Sequence, residues 1–229
     1  MESIIQLLCI MALPLIFAIT LHEAAHGYVA HRLGDSTAYL MGRVSLNPAK
    51  HIDPVGTIAL PLLMLVISKG AFVFGFAKPV PVNFNHLKQP RRDAALVALA
   101  GPAANVLMAC LWGSIAKLAL VTHSTAPMIR AVQIFFIYSG AYGILINCLL
   151  CVLNLIPLPP LDGSRILASL LPVRTANHYL KIEPYGVWIL LAIIVFAGHI
   201  ILLPPTFMLS HWISTMLGFN FLSVLNGVF

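Results

Sequence analysis

The stretch SIIQLLCIMALPLIFAITLHEAAHGYVAHRL, residues 3–33, decides how the rest of the chain is read. Its first 19 residues, Ser3 to Leu21, carry no charge. A helix of that length spans the ~30 Å hydrocarbon core of a bilayer. The helical pattern continues through His22-Glu23-Ala24-Ala25-His26 to about Leu33, where Gly34-Asp35 can end it. A cleaved signal peptide needs a positive start, and Glu2 is the only early charge. The chain therefore opens with a membrane span that holds three ionisable side chains toward its end.

The remaining sequence agrees. Of its 229 residues, 60% are hydrophobic and 9% charged. Soluble domains carry about 25% charged residues, so a soluble enzyme is excluded. Disorder is excluded too, because it needs low hydrophobicity and high charge. The net charge of +6 does not point to nucleic acid, since the basic residues fall in short loops between apolar segments. Cys9, Cys110, Cys148 and Cys151 all lie in apolar runs, which argues against a disulfide framework.

Further spans follow. Residues 94–116 are uncharged, as are the 31 residues 131–161, whose far end is broken by Pro157, Pro159 and Pro160. Residues 185–203 form a further span, and the tail from Pro204 reads as a partial or surface-lying helix. Between these, 56–67 and 71–77 are too short to span comfortably, and Ala71–Asn83 favours extended chain because of Gly75, Pro79 and Pro81. The expected fold is an all-α polytopic transmembrane helix bundle forming one membrane domain over 1–229. Its core helices are expected at about 3–33, 94–120 and 131–157, with an additional helix at 185–203 and a short re-entrant or β-like segment.

Lys and Arg concentrate in 32–53, 78–93 and 162–183, whereas 121–130 holds only Arg130. The positive-inside rule places the first three in the cytoplasm and the N-terminus outside. That requires 54–77 to dip into the membrane and return. A single crossing would put 32–53 and 78–93 on opposite sides; the dip is favoured.

The chemistry starts at HEAAH. Two imidazoles four residues apart share one helix face and can bind one Zn²⁺. Glu23, beside the first of them, can act as a general base toward a metal-activated water. The competing reading, two interfacial histidines and a snorkelling glutamate, must put three costly groups together inside a membrane helix by coincidence. The HExxHxxGxxH extension is absent, because Val29 and Arg32 stand at its positions and His31 is off the face. A third ligand must come from elsewhere. Asp53 and Asp93 read as helix caps, and Asp35 is too near in sequence to fold back easily. Asp162 closes Asn154-Leu-Ile-Pro-Leu-Pro-Pro-Leu-Asp162-Gly163, where prolines unwind the chain at membrane depth. It is either a third metal ligand or the cap of a following helix. Asn105, in Gly101-Pro102-Ala103-Ala104-Asn105, and Asn154 are either interhelical packing or groups that hold a substrate backbone or an oxyanion. Asn147 shares a helix face with Asn154 and has the same packing reading. Cys148 and Cys151 read as small-residue packing.

The motifs HEAAHGYVAHRLGD at 22–35, GPAAN at 101–105 and NLIPLPPLDGSRIL at 154–167 resemble those of the site-2 protease family of intramembrane zinc metalloproteases. The resemblance implies that His22, His26 and Asp162 bind one zinc ion, that Glu23 is the catalytic base, that Asn154 helps bind substrate and that Asn105 supports the site. It looks like a minimal bacterial-type member, with neither a PDZ-like nor a CBS-like domain. The expected activity is endopeptidic cleavage of membrane-spanning protein substrates within the bilayer, as in regulated intramembrane proteolysis. The expected location is the bacterial inner membrane, with the active site toward the cytoplasm. A zinc transporter or metal sensor is the alternative, since intramembrane His and Asp also line ion pathways.

Overall fold

The computed structural model describes residues 4–59, 63, 75, 77–122 and 126–227. Four of its helices are long and apolar enough to cross a membrane. They lie in α1 (Ile4–Arg32), α3 (Pro90–Val121), α4 (Pro127–Leu155) and α7 (Glu183–Ile201). This is an all-α integral membrane protein, and no β-strand occurs among the described residues. Between the long helices lie the short α2 (Thr37–Leu40), α5 (Asp162–Leu170) and α6 (Val173–Leu180). After α7 come α8 (Leu203–Met216) and α9 (Phe221–Leu225).

Helices α3 and α4 begin four residues earlier than the charge pattern implied. Each has proline at its first position, where a missing N–H costs nothing and φ is preset for helix. The charged Arg91, Arg92, Asp93 and Arg130 are thereby drawn into the first helical turns. Asp93 holds the start of α3 by accepting the Gln89 amide at 2.7 Å. Helix α4 stops at Leu155, two residues before Pro157, as steric exclusion by proline requires.

Helices α1, α3 and α4 pack on one another as the core. Small residues make the close approach possible, because lipid offers no hydrophobic drive to bring helices together. At Gly140 of α4, a Cβ would stand 2.5 Å from the Cβ of Ala116 and 2.6 Å from the carbonyl of Trp112 on α3. Ser139 donates to the Ile10 carbonyl across α4 and α1 at 3.1 Å.

Of the two readings of the tail, the partial helix is the one found, and it is docked. Helix α8 packs against α4 rather than lying on the surface, with Thr206, Ser210 and Ser214 buried and Met208, Trp212 and Met216 exposed. In lipid the small polar face goes inward and the bulky apolar face outward, so an apolar tail conceals a packing stripe. Phe221 and Ile213 close this layer over Ile144 and Cys148. Helix α7, by contrast, is largely exposed. It touches the body at Gly186, where a Cβ would overlap the Pro159 carbonyl.

Asp53 caps a short wide turn at Pro54–Ala59 through the amides of Val55 and Gly56. Most of the expected dip at 54–77, and of the extended chain before Ala77, lies outside the described residues. Its two ends are described: the Lys78 amide donates to the His51 carbonyl at 3.0 Å, so the chain returns beside its point of departure. Residues 77–83 run as irregular chain across the end of α1. The Asn83 amide donates to Asp35 and the Lys88 amide to the Leu33 carbonyl. Arg91 donates to the carbonyls of Ser169 and Leu171 at the end of α5. The three basic stretches therefore meet at one end of the bundle.

Candidate metal centre

His22 and His26 stand one turn apart on α1, both buried, with their rings edge-on at 4.6 Å between centroids. Helix α3 meets them with the face formed by Val97, Gly101 and Asn105, residues four apart. His26 Nδ1 lies 2.7 Å from the Val97 carbonyl, and His22 Nδ1 lies 2.7 Å from Asn105 Oδ1. Gly101, between them, is where the rings enter: a Cβ there would stand 2.5 Å from His22 Cε1 and from His26 Nε2.

The tautomers follow from these contacts. A backbone carbonyl only accepts, so His26 Nδ1 carries the proton. The amide oxygen of Asn105 makes the same demand on His22. Both Nε2 atoms are left as lone pairs, 3.0 Å apart. Asp162 Oδ2 lies 3.3 Å from one and 3.4 Å from the other. It has no hydrogen-bond donor of its own. Three buried electron-pair donors converging without a proton between them repel one another, and a cation relieves that repulsion.

The spacing suits a cation of zinc's size. Ligand atoms about 2.0–2.1 Å from one tetrahedral zinc are about 3.3–3.4 Å apart. Among the described residues this is the one group of three or more His, Cys, Asp or Glu side chains able to hold a metal. His31 faces away, against Ser36 and stacked on Tyr39, and Cys148 and Cys151 are unpaired thiols in the core.

Asp162 arrives by a different route from the histidines. It opens α5, and Gly163 lets that first turn pass the end of α4, since a Cβ there would lie 2.3 Å from the Leu155 carbonyl. The cap alternative does not describe its carboxylate: the start of α5 has no side-chain cap.

Glu23 is half-buried and within electrostatic reach of His26. Its Oε2 accepts the Val80 amide at 2.8 Å. That contact was not foreseen, although its signal is in the sequence. In Lys78-Pro79-Val80-Pro81-Val82 the prolines have no N–H, so Val80 carries the single donor between Lys78 and Val82. The segment is clipped further along by Asp35, which is fully buried and accepts the Thr37 amide and hydroxyl as well as the Asn83 amide. Asp35 is thus no part of the metal group.

The asparagines separate. Asn105 is fully buried, and its amide nitrogen is shared between Asn147 Oδ1 at 3.1 Å and the Ala18 carbonyl at 3.3 Å. With its oxygen on His22, no part of it is left to meet a substrate. Asn154 is half-buried near the end of α4. Its amide nitrogen donates to the Leu150 carbonyl, and its side-chain oxygen has no partner among the described residues.

A bundle of apolar helices holding two buried histidines and a part-buried aspartate together beside a glutamate defines a class, the integral-membrane metallohydrolases. The model of peptidase family M50 matches residues 113–197, which include Asp162. Over 191 residues the chain is 37% identical to "Putative zinc metalloprotease YwhC" of Bacillus subtilis (strain 168), covering 83% of this chain and 82% of that protein. It is 28% identical over 180 residues to a relative named Rip2 from Mycolicibacterium smegmatis and 29% identical over 177 residues to one from Mycobacterium tuberculosis (strain H37Rv). These alignments cover 79% and 77% of this chain but only 64% and 62% of the longer mycobacterial proteins. No solved structure matches. The chain belongs to peptidase family M50, the site-2 proteases, and is a membrane zinc metalloprotease.

Proposed function

We propose that the protein is an intramembrane endopeptidase that cleaves membrane-spanning segments of other proteins, as in regulated intramembrane proteolysis. The observation that carries this reading is the convergence of His22 Nε2, His26 Nε2 and Asp162 Oδ2 inside an apolar bundle. In this reading those three atoms hold one zinc ion, leaving a position open for water or substrate. Zinc supplies Lewis acidity there, acidifying water and polarising a peptide carbonyl.

The chain's own groups do the rest. Glu23 takes the proton of the attacking water and passes it to the departing amine. The Val80 amide fixes the position of the Glu23 carboxylate by donating to its Oε2. Asn105 acts on His22, fixing its tautomer, and not on the substrate. Asn154, with its free side-chain oxygen, binds the substrate backbone. Within 78–83 the backbone offers a substrate strand little to pair with. The amides of Lys78, Val80 and Asn83 are engaged and Pro79 and Pro81 have none, so Val82 is the one amide there without a partner among the described residues.

The site is assigned to the cytoplasmic side of a bacterial inner membrane. His22 lies about 27 Å along α1 from Ile4 at 1.5 Å per residue, and the basic stretches gather at that same end. The His51–Lys78 contact supports the dip at 54–77, since a single crossing separates its ends by about 30 Å. The transporter alternative lacks support: ion passage calls for successive ligand sets, and one metal group is found among the described residues.

The test is Glu23→Gln in proteoliposomes with a model membrane-spanning substrate. Zinc content should stay at wild type while cleavage is abolished. Robust cleavage by the variant removes Glu23 from the role of base.

A further inference from the structure

The two histidines reach their tautomers by different means. His26 meets a backbone carbonyl directly, at Val97. His22 meets none. Its Nδ1 contacts Asn105 Oδ1 at 2.7 Å, Asn105 Nδ2 contacts Asn147 Oδ1 at 3.1 Å, and Asn147 Nδ2 contacts the Gly143 carbonyl at 2.8 Å. We propose that Asn147 is a positioning residue of the metal centre, which acts through Asn105 to set the nitrogen that His22 presents to Asp162. The proposal rests on the reading of His22 as a metal ligand.

The chain of amides has one polarity, and its far end sets it. A carbonyl can only accept, so Gly143 draws the nitrogen of Asn147 and turns the Asn147 oxygen toward Asn105. That oxygen draws the nitrogen of Asn105 and turns the Asn105 oxygen toward His22. The Ala18 carbonyl, at 3.3 Å, pulls Asn105 the same way. His22 must then donate from Nδ1, and the Nε2 lone pair is left for a cation. Reversing either amide puts N–H against N–H in a space with no alternative partner, since Asn105 and Asn147 are both fully buried. A packing role alone would ask of residue 147 only that it be small or polar, whereas the relay asks for an acceptor toward Asn105 and a donor toward Gly143 together. A neutral carboxylic acid meets both demands, and a carboxyl buried against carbonyl and amide groups, with no cation beside it, is held neutral.

The test measures zinc dissociation constants by chelator competition on purified, detergent-solubilised protein, without reference to activity. Asn147→Leu should weaken zinc at least tenfold, in the 10–100-fold range of lost outer partners of a metal-binding histidine. Asn147→Asp should stay within about threefold of wild type, by the same carbonyl-and-donor logic. Adding Asn147→Leu to Asn105→Leu should cost little more than Asn105→Leu alone, because both break one chain. Where leucine at 147 prevents folding, Asn147→Ser, too short to reach Asn105, carries the same expectation. A folded Leu or Ser variant with wild-type zinc affinity overturns the relay, as does full additivity with Asn105→Leu. Wild-type zinc binding that His22→Ala leaves unchanged overturns the metal reading itself, a different outcome.

Discussion

Replacing Gly101 with alanine puts a methyl group where the two imidazoles enter α3. The added carbon would stand 2.5 Å from His22 Cε1, 2.5 Å from His26 Nε2 and 2.6 Å from His26 Cε1. Ordinary contact is about 3.5 Å or more, so about 1 Å must be found. The rings cannot simply rotate away, because Val97 and Asn105 on the same face of α3 hold both Nδ1 atoms at 2.7 Å. If α3 backs off by about 1 Å instead, Val97 and Asn105 retreat with it and both contacts stretch to about 3.7 Å, beyond hydrogen-bonding range. Either response disturbs both histidines at once. Overpacking itself costs about 1–3 kcal/mol, and loss of the outer partners weakens metal about 10–100-fold. Chelator competition gives the zinc affinity and thermal unfolding of the zinc-free protein gives the stability. Wild-type zinc affinity in Gly101→Ala would refute the reasoning, because it would mean the rings do not depend on a bare α3 surface.

Other consequences can be checked with single changes. Val80→Pro deletes the one amide that Glu23 accepts; cleavage should fall about tenfold or more, as for a lost hydrogen bond to a charged group of about 1.5–3 kcal/mol, with zinc content unchanged and Val80→Ala near wild type. Asp35 is held below the usual carboxylate range: burial alone would raise it, but the Thr37 hydroxyl, the amides of Asn83 and Thr37, and His86 outweigh burial. Its stabilisation is therefore complete above the unfolded value of about 3.9 and is lost as pH falls through the lower folded value, so the 78–88 segment should resist proteolysis at neutral pH. Asp35→Asn should make that segment cleavable at neutral pH, and an unchanged digestion pattern would deny the clip. In intact cells an impermeant thiol reagent should label Met128→Cys, at the exposed start of α4, and miss Ser36→Cys; the reverse pattern inverts the topology.

What could be read from the sequence depended on whether a signal was local. Span α7 was legible within two residues from its uncharged length, and α1 from an uncharged run, a helical pattern carried past it and the Gly34-Asp35 stop. The early starts of α3 and α4 were not, because charges beside Pro90 and Pro127 look like loop until proline's fit to a first helical turn outweighs them. The docked tail was missed for another reason. Thr206, Ser210 and Ser214 have helical spacing, but a polar stripe in an apolar tail signals burial only in lipid, where the usual sense of inside and outside is reversed.

The site divides the same way. HEAAH announces itself because one helix turn brings two imidazoles together, and Asp162 because a carboxylate beside three prolines at membrane depth needs a partner. Spacing cannot tell which asparagine keeps an oxygen free and which faces a histidine, since both residues are polar groups on apolar helices. The difference lies in where the other ends of their amides go. Asn154 spends its nitrogen on its own helix and leaves an oxygen free. Asn105 spends its nitrogen on Asn147 and Ala18, so its oxygen has one place left to turn, toward His22. A buried amide therefore transmits a choice made at its far end. In this bundle the choice begins at the Gly143 carbonyl of α4 and ends at the His22 nitrogen of α1 that faces Asp162.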